Sequence, residues 1–239
     1  MMGGRTKIDW CDATINPVIG CSRGCGYCYA RKMNARWKWV KDFSKPQFFP
    51  RALEQPYKWK KPRIIFVCSL GELFDPQVPK AWVHRVFAMM EDNPQHRFLL
   101  LTKQPMYAMS WMDLLPSWVL LGESITRWII GDPFAEPMQM QEPLQRLTGW
   151  SSDPRMEHFI SFEPLLGSAA EAIDGGTKWI IIGAQTNPNV QPKREWVQEI
   201  LDRANDAGIP VLMKHNLIWP AGERRFEFPA ELEKIRSKG

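Results

Sequence analysis

Three of the five cysteines lie within eight residues of one another, in the order Cys21-x3-Cys25-x2-Cys28. An odd number of cysteines in a chain of 239 residues argues against a disulfide framework. Three thiolates that converge on one point repel one another unless a positive centre holds them, and an iron–sulfur cluster or a zinc ion is such a centre. Gly24 and Gly26, which separate the cysteines, are expected to let the backbone turn tightly enough for this.

Two kinds of metal centre fit this pattern. A closed zinc site needs four protein ligands. No second pair of cysteines and no histidine lies nearby, so Cys11 or Cys68 would have to complete a structural zinc or mononuclear iron site. A [4Fe–4S] cluster on three cysteines instead leaves one iron open to bind a substrate or a cofactor.

The cysteine spacing, with Tyr27 directly before Cys28, resembles the cluster motif of the radical S-adenosyl-L-methionine (SAM) superfamily. The resemblance implies that Cys21, Cys25 and Cys28 hold a [4Fe–4S] cluster. It also implies that the open iron binds the amino and carboxylate groups of SAM, with Tyr27 near the adenine. Zinc remains the alternative.

Short apolar runs that alternate with helical patterns surround this motif. Continuous hydrophobicity is typical of strands buried on both faces of a parallel sheet. The predicted strands are residues 14–19, 63–68, 97–102, 118–122, 158–162, 179–183 and 210–214. Helices are predicted at 80–91 and 194–207. We therefore expect a single α/β domain over residues 1–239, a partial (β/α)6-type, TIM-like barrel with the cysteines after the first strand.

Polar residues follow the predicted strands, and the carboxyl ends of barrel strands are where chemistry takes place. Lys103, Glu163, Gln185 and Lys214 are therefore candidates for catalytic contacts to substrate. For each carboxylate on this rim, a structural ion pair is the alternative.

The resemblance also predicts cofactor-binding residues. In radical SAM enzymes a turn after the second strand, with a Gly-Gly-Glu pattern, binds the SAM amino group. Gly71 and Glu72 match that place, together with the preceding Ser69, although Leu70 stands where the first glycine would be. By position alone, Glu123 and Ser124 correspond to a ribose contact.

Several sequence blocks are similar to a family of phage- and prophage-encoded radical-SAM-like proteins whose function is unknown. The match extends from about residue 6 to residue 216. The blocks that carry it include residues 7–14, 66–74, 101–103, 161–167 and 179–183. Cys11 departs from the Thr usual in that family, so neither Cys11 nor Cys68 is assigned a role. The resemblance supplies a fold and a cofactor, not a reaction.

Positive charge is concentrated in the first quarter of the chain. Residues 1–63 contain 14 Lys and Arg against four Asp and Glu, a net charge of +10, and the remainder has a net charge of −5. Aromatic residues are interleaved with these cations, and such a combination binds phosphates and stacks on unpaired bases. The alternative is a solvated first helix at about 31–40, with Trp37 packed inward.

Together these features predict a radical SAM enzyme that cleaves SAM to a 5′-deoxyadenosyl radical and modifies or repairs a nucleic acid or nucleotide. An external electron donor of the flavodoxin or ferredoxin type is implied. The alternatives are modification of a peptide or small molecule, and a non-enzymatic, zinc-stabilised nucleic-acid-binding barrel. No apolar run is long enough for a membrane span and the N-terminus has no signal-peptide core, so a cytoplasmic location is expected.

Overall fold

The computed structural model describes residues 3–116, 118–126 and 157–237. Five α-helices lie in this part of the chain: α1 (Tyr29–Trp37), α2 (Lys80–Glu91), α3 (Pro105–Met109), α4 (Arg194–Asp206) and α5 (Ala230–Arg236). Its ten strands are β1 (Gly3–Arg5), β2 (Ala13–Ile15), β3 (Val18–Ile19), β4 (Gln47–Phe48), β5 (Ile64–Val67), β6 (Arg97–Thr102), β7 (Val119–Ser124), β8 (His158–Phe162), β9 (Thr177–Ile182) and β10 (Val211–Met213). Within these residues, no helix is long and apolar enough to cross a membrane.

Eight of the strands form one sheet, in the order β1-β2-β5-β6-β7-β8-β9-β10. β1 pairs with β2 in the antiparallel sense, and the other seven strands are parallel. The predicted fold class, α/β with the sheet of a partial TIM-like barrel, is confirmed. The continuous apolar runs indicated strands of this sheet because β5, β8 and β10 are buried at every position.

The predicted first strand, 14–19, is in fact two strands separated by Asn16 and Pro17. Proline has no N–H to donate, so it interrupts a ladder. β3 leaves the large sheet and pairs with β4, in which Val18 faces Phe48. The cysteine segment thus begins directly after a short strand of a separate two-stranded sheet.

The described chain divides into two compact units. Unit 1, Met1–Leu121 and Ala230–Gly239, contains β1–β6, α1–α3 and α5. Its helix α2 buries one face, and the residues of that face are Val83, Val86, Phe87, Met89 and Met90. Trp37, at the end of α1, is 58% exposed beneath the guanidinium of Arg36, so the expectation that it packs inward is wrong.

Unit 2, Gly122–Pro229, is built on β8, β9 and β10. Helix α4 packs Val197, Ile200 and Ala204 into an apolar core with strand residues such as Ile180 and Val211. Gly208 ends the helical segment in a left-handed conformation, with φ +65°. This core fixes the strands whose ends carry the polar residues described below.

Candidate functional site

The cysteines lie on a turn, residues 21–28, which we call the thiol loop. Its start is fixed by the Cys21 amide, which donates to the Phe43 carbonyl at 2.8 Å, and its end by the Cys28 amide, which donates to the Cys25 carbonyl at 3.1 Å. The Cys28 sulfur also accepts from the Arg31 amide at 3.4 Å and so caps α1. All three cysteines are half-buried, and none of them forms a disulfide bond.

The surroundings of Cys21 disfavour a free thiolate. Burial is the main reason that the pKa of its thiol lies above the usual range, and the Glu72 and Asp75 carboxylates add to the effect. A positive centre would reverse this preference because it stabilises the thiolate. Arg31 contributes positive charge to the loop, since its guanidinium donates to the carbonyls of Cys21 (3.2 Å) and Arg23 (2.7 Å).

The donor set of the thiol loop fits a thiolate-bound metal group. Three half-buried thiols share one eight-residue turn, and Cys21 and Cys28 both pack on the apolar cluster that includes Ile19 and Phe43. Among the residues that the structure describes, no three His, Cys, Asp or Glu side chains already stand in a ligand arrangement.

The glycines that shape the thiol loop differ from those expected. Gly24 and Gly26 have no neighbouring atom within 4 Å of a Cβ added to them, and neither has a positive φ. Gly20, directly before the loop, has φ +109°, a conformation that favours glycine. The prediction that Gly24 and Gly26 allow the turn is therefore wrong, and the constraint lies at Gly20.

Gly71 is the point where the thiol loop meets the turn after β5. A Cβ on Gly71 would lie 2.7 Å from the Val18 carbonyl oxygen and 2.9 Å from that of Gly20. Two backbone bonds join the same segments: the Gly20 amide donates to Leu70 and the Glu72 amide to Gly20, each at 3.1 Å. Only a residue without a side chain fits between these backbones.

Two buried side chains that the sequence analysis missed also connect the turn after β5 with residues 16–28, the segment that contains β3 and the thiol loop. The Asp75 Oδ2 accepts from both the amide and the hydroxyl of Ser22 at 2.7 Å. The Asn16 Oδ1 accepts from the Leu70 amide at 2.8 Å and from the Ser69 hydroxyl at 3.1 Å. We call these the Asp75 clamp and the Asn16 clamp. Asp75 also accepts from the Gln77 amide and so closes a local turn, which the Asp-Pro pair at 75–76 indicates in the sequence. Nothing in the sequence indicates that Asp75 bonds to Ser22.

The Glu72 carboxylate is buried and accepts three intramolecular hydrogen bonds. Its Oε1 accepts from the Phe74 amide at 3.1 Å and the Thr102 hydroxyl at 2.9 Å, and its Oε2 accepts from the Lys103 amide at 3.1 Å. Burial raises the pKa of Glu72, and these three bonds offset part of that rise. Glu72 therefore ties the turn after β5 to the end of β6.

Lys103 connects the end of β6 with the thiol loop. Its ammonium lies 5.2 Å from the centre of the Tyr27 ring, and its carbonyl accepts from the Arg23 guanidinium at 2.9 Å. Ser69 also bonds within the protein, because its carbonyl accepts from the Tyr29 hydroxyl. The structure thus brings the predicted residues of unit 1 together: Cys21, Cys25, Cys28, Tyr27, Ser69, Gly71, Glu72 and Lys103.

Unit 2 holds the other predicted residues. Glu163, after β8, forms an ion pair with Lys214, after β10, and both side chains are largely buried. Gly183, after β9, leaves room for the pair, since a Cβ there would lie 3.0 Å from the Lys214 side chain and 3.2 Å from that of Glu163. The Ser124 hydroxyl, at the end of β7, donates to the Glu163 carbonyl at 3.2 Å.

Two predicted residues of unit 2 remain, Glu123 in β7 and Gln185 in the turn after β9. Glu123 is half-buried in β7. Gln185 pairs with Val190 through both backbone groups and its side chain donates to the Pro188 carbonyl at 3.2 Å, so it closes a turn after β9. Asn216, which the sequence analysis did not select, bonds to both backbone groups of Ala184. The bonds of Gln185 to Val190 and Pro188 thus give it a structural role in addition to any contact with a ligand.

We expect the Asp75→Ala variant to loosen the thiol loop, because it leaves the Ser22 amide and hydroxyl without their acceptor. The free energy of unfolding should fall by about 2 kcal/mol, and amide hydrogen exchange at residues 21–23 should accelerate. Ser22→Ala removes only the hydroxyl bond and should cost about 1 kcal/mol. Denaturant unfolding and exchange mass spectrometry measure both. Exchange in Asp75→Ala as slow as in the wild type would show that Asp75 does not hold the loop.

Comparison with known proteins gives a family and a fold. The family described as "Protein of unknown function (DUF5131)" matches residues 5–225. No curated protein is similar enough in sequence to count as a relative. The family description does not mention phages, so the phage origin stays a prediction.

The similar solved structures are those of a spore photoproduct lyase. One, complexed with dinucleoside spore photoproduct, has a TM-score of 0.52 at 10% identity and covers 84% of this chain and 63% of that chain. A cysteine-to-serine variant has a TM-score of 0.50 at 9% identity and covers 98% of this chain and 74% of that chain. This chain thus spans less than two thirds of the first lyase structure, and the likeness is one of fold.

Proposed function

We propose that this chain, which belongs to the DUF5131 family of proteins of unknown function, is a radical SAM enzyme. The observation that carries the proposal is the thiol loop itself. Three half-buried cysteines, spaced as in the superfamily motif, follow β3 and are bound through Gly71 and the Asp75 clamp to the turn after β5. The fold shared with spore photoproduct lyase supports the proposal.

Cys21, Cys25 and Cys28 would hold a [4Fe–4S] cluster. Once bound and reduced, the cluster would supply the electron that cleaves SAM to methionine and a 5′-deoxyadenosyl radical. The chain's own task is to keep the thiols and the ligand in place while water is excluded. The Gly20–Gly71 contact and the two clamps provide this rigidity.

Residues of unit 1 would orient SAM. Three donors occupy three of the about four acceptor positions of the Glu72 carboxylate, which leaves one for the SAM amino group. Gly71 and Ser69 present the backbone of the same turn, and Tyr27 presents its ring for the adenine. Lys103, beside Tyr27, would contact the substrate.

Unit 2 carries the remaining residues that the sequence analysis selected. We assign Glu123 and Ser124 to the ribose of SAM, and Glu163, Gln185 and Lys214 to the substrate. The Glu163–Lys214 pair brings a carboxylate and an ammonium to one largely buried place, where both can bind polar groups of a ligand. Reduction would come from an external donor of the flavodoxin or ferredoxin type, in the cytoplasm.

A nucleic acid or nucleotide is the proposed substrate class. Its support is the net charge of +10 over residues 1–63, together with a fold shared with a lyase that has been solved with a dinucleoside spore photoproduct. Modification or repair of a base is the reaction that this class implies.

Metal analysis after anaerobic reconstitution tests the cluster assignment. We expect about four irons and four sulfides per chain, with broad visible absorption. One zinc per chain, in a colourless protein that binds no iron, would instead support a structural zinc site completed by Cys11 or Cys68.

A further inference from the structure

The surface of unit 1 carries a cavity that the proposed chemistry does not use. Its volume is about 520 Å³, within the range of ligand pockets. The walls are two short helical turns, Pro50–Glu54 and Pro56–Lys58, together with Arg85 of α2. These turns belong to the basic segment noted in the sequence.

Three cations contribute to the lining of this cavity, beside Pro50, Leu53 and Tyr57. Arg51, Lys58 and Arg85 line it against a single carboxylate, Glu54. The Glu54–Lys58 pair is 3.5 Å long with both side chains more than 60% exposed, so it is weak and can open to admit an anion. Within residues 3–116, 118–126 and 157–237, Arg51 and Arg85 form no ion pair.

The aromatic side chains around the cavity are held in place. The guanidinium of Arg85 lies 4.9 Å from the centre of the Phe48 ring, which stacks on Trp82 at 5.1 Å. Tyr57 is 54% exposed, yet its hydroxyl donates to the Asp92 carboxylate at 2.7 Å, which fixes the direction of the ring. Next to Tyr57, the Pro56 carbonyl bonds to Nε2 of the buried His96 at 3.1 Å, which anchors the second helical turn.

A fixed, exposed aromatic ring beside two guanidinium groups has the chemistry of a single-stranded nucleic-acid site. Guanidinium groups bind phosphate in a bidentate manner, and an aromatic face stacks on any base. We propose that this cavity binds the backbone of a nucleic-acid strand, with phosphates on Arg51 and Arg85 and a base on Tyr57. The inference deepens the proposed function, because it rests on a nucleic-acid substrate.

The site would hold a strand through contacts that the thiol loop does not make. Such contacts carry little sequence information and are strongly weakened by salt. The cavity would therefore contribute affinity for long substrates, whereas a single nucleotide would gain little from it.

The test is fluorescence anisotropy with a labelled single-stranded oligonucleotide and the anaerobically reconstituted enzyme. The Arg51→Ala/Arg85→Ala variant should bind at least about tenfold more weakly, and its slope of log affinity against log salt should be shallower by about 1.5. Tyr57→Ala should weaken binding about fivefold or more, whereas Tyr57→Phe, which keeps the ring but loses the hydrogen bond to Asp92, should weaken binding less than Tyr57→Ala.

The matched control removes two cations from unit 2. Lys178→Ala/Arg194→Ala deletes the same charge at two exposed ion pairs, with Glu157 and Glu223, and should bind the oligonucleotide nearly as the wild type. SAM cleavage without nucleic acid should stay unchanged in the cavity variant, since neither arginine is placed at the thiol loop. Thermal unfolding should shift only slightly, through loss of the contact between Arg85 and the Phe48 ring. These two readouts separate a lost binding site from a misfolded or inactive protein.

Any of four outcomes would overturn the proposal. The first is equal binding by the cavity variant and the wild type, and the second is equal loss in the unit 2 control. The third is a wild type that cleaves SAM but binds no oligonucleotide, which removes the cavity site and leaves the radical SAM assignment intact. In the fourth, inorganic phosphate serves as the competitor: displacement of the strand at equal concentrations of phosphate groups would mean a free-anion site rather than a strand site.

Discussion

Replacing Cys25 with alanine is expected to abolish both cluster assembly and SAM cleavage. Two thiolates cannot hold a cluster that three thiolates normally fix. Removal of a residue that only supports a ligand lowers metal affinity about 10- to 100-fold, and loss of a ligand itself should lower it further. Iron content and the yield of 5′-deoxyadenosine after anaerobic reconstitution are the measurements. Both should fall to the level of a sample without protein.

Cys11 and Cys68 provide the control for this experiment. Both are buried outside the thiol loop, and burial raises the pKa of the Cys68 thiol to about 12. Cys11→Ala and Cys68→Ala should keep their iron and their SAM cleavage, apart from any loss of stability. Loss of metal in either control, with metal retained in Cys25→Ala, would contradict the ligand assignment and favour a different site.

The Gly71→Ala variant is expected to be strongly destabilised. Its Cβ would lie under 3 Å from two backbone oxygens, those of Val18 and Gly20, and backbone atoms cannot move aside as a flexible side chain can. Overpacking of this kind costs about 3 kcal/mol, which lowers the midpoint of thermal unfolding by roughly 10 °C in a domain of this size. Because the strain lies beside the thiol loop, cluster loading should fall as well.

Gly26→Ala is the matched control, since it adds the same methyl group to the thiol loop itself. A Cβ there meets nothing within 4 Å and φ is not positive, so stability should change by less than about 0.5 kcal/mol. Calorimetry of the metal-free proteins separates the two. Equal unfolding temperatures for Gly71→Ala and Gly26→Ala would mean that the two backbones are not in close contact at Gly71.

The strands could be predicted from the sequence because burial on both faces leaves a continuous apolar signature. The runs at 63–68, 97–102 and 158–162 each contain an observed strand of the sheet. The first strand was predicted too long because Pro17 interrupts it, and Trp37 was misplaced because the end of α1 is solvated. Pro17 is a local signal that the predicted strand ignored, whereas the exposure of Trp37 is decided by the tertiary environment.

The parts of the site that depend on neighbouring residues could be predicted from the sequence. The parts that depend on contacts between distant residues could not. The spacing of the three thiols is a property of eight consecutive residues. The Asp75 clamp joins positions 53 residues apart, and a side chain that accepts from a distant amide leaves no pattern in the sequence. The same holds for Gly71, whose need for a missing side chain arises from the carbonyls of Val18 and Gly20.

The most direct test of the central claim is the cleavage of SAM by the anaerobically reconstituted, chemically reduced protein. The account predicts 5′-deoxyadenosine and methionine in equal amounts by liquid chromatography and mass spectrometry, with neither formed in Cys25→Ala. A protein that holds a complete iron–sulfur cluster, and yet forms no 5′-deoxyadenosine from SAM under strong reductant, would contradict the assignment as a radical SAM enzyme.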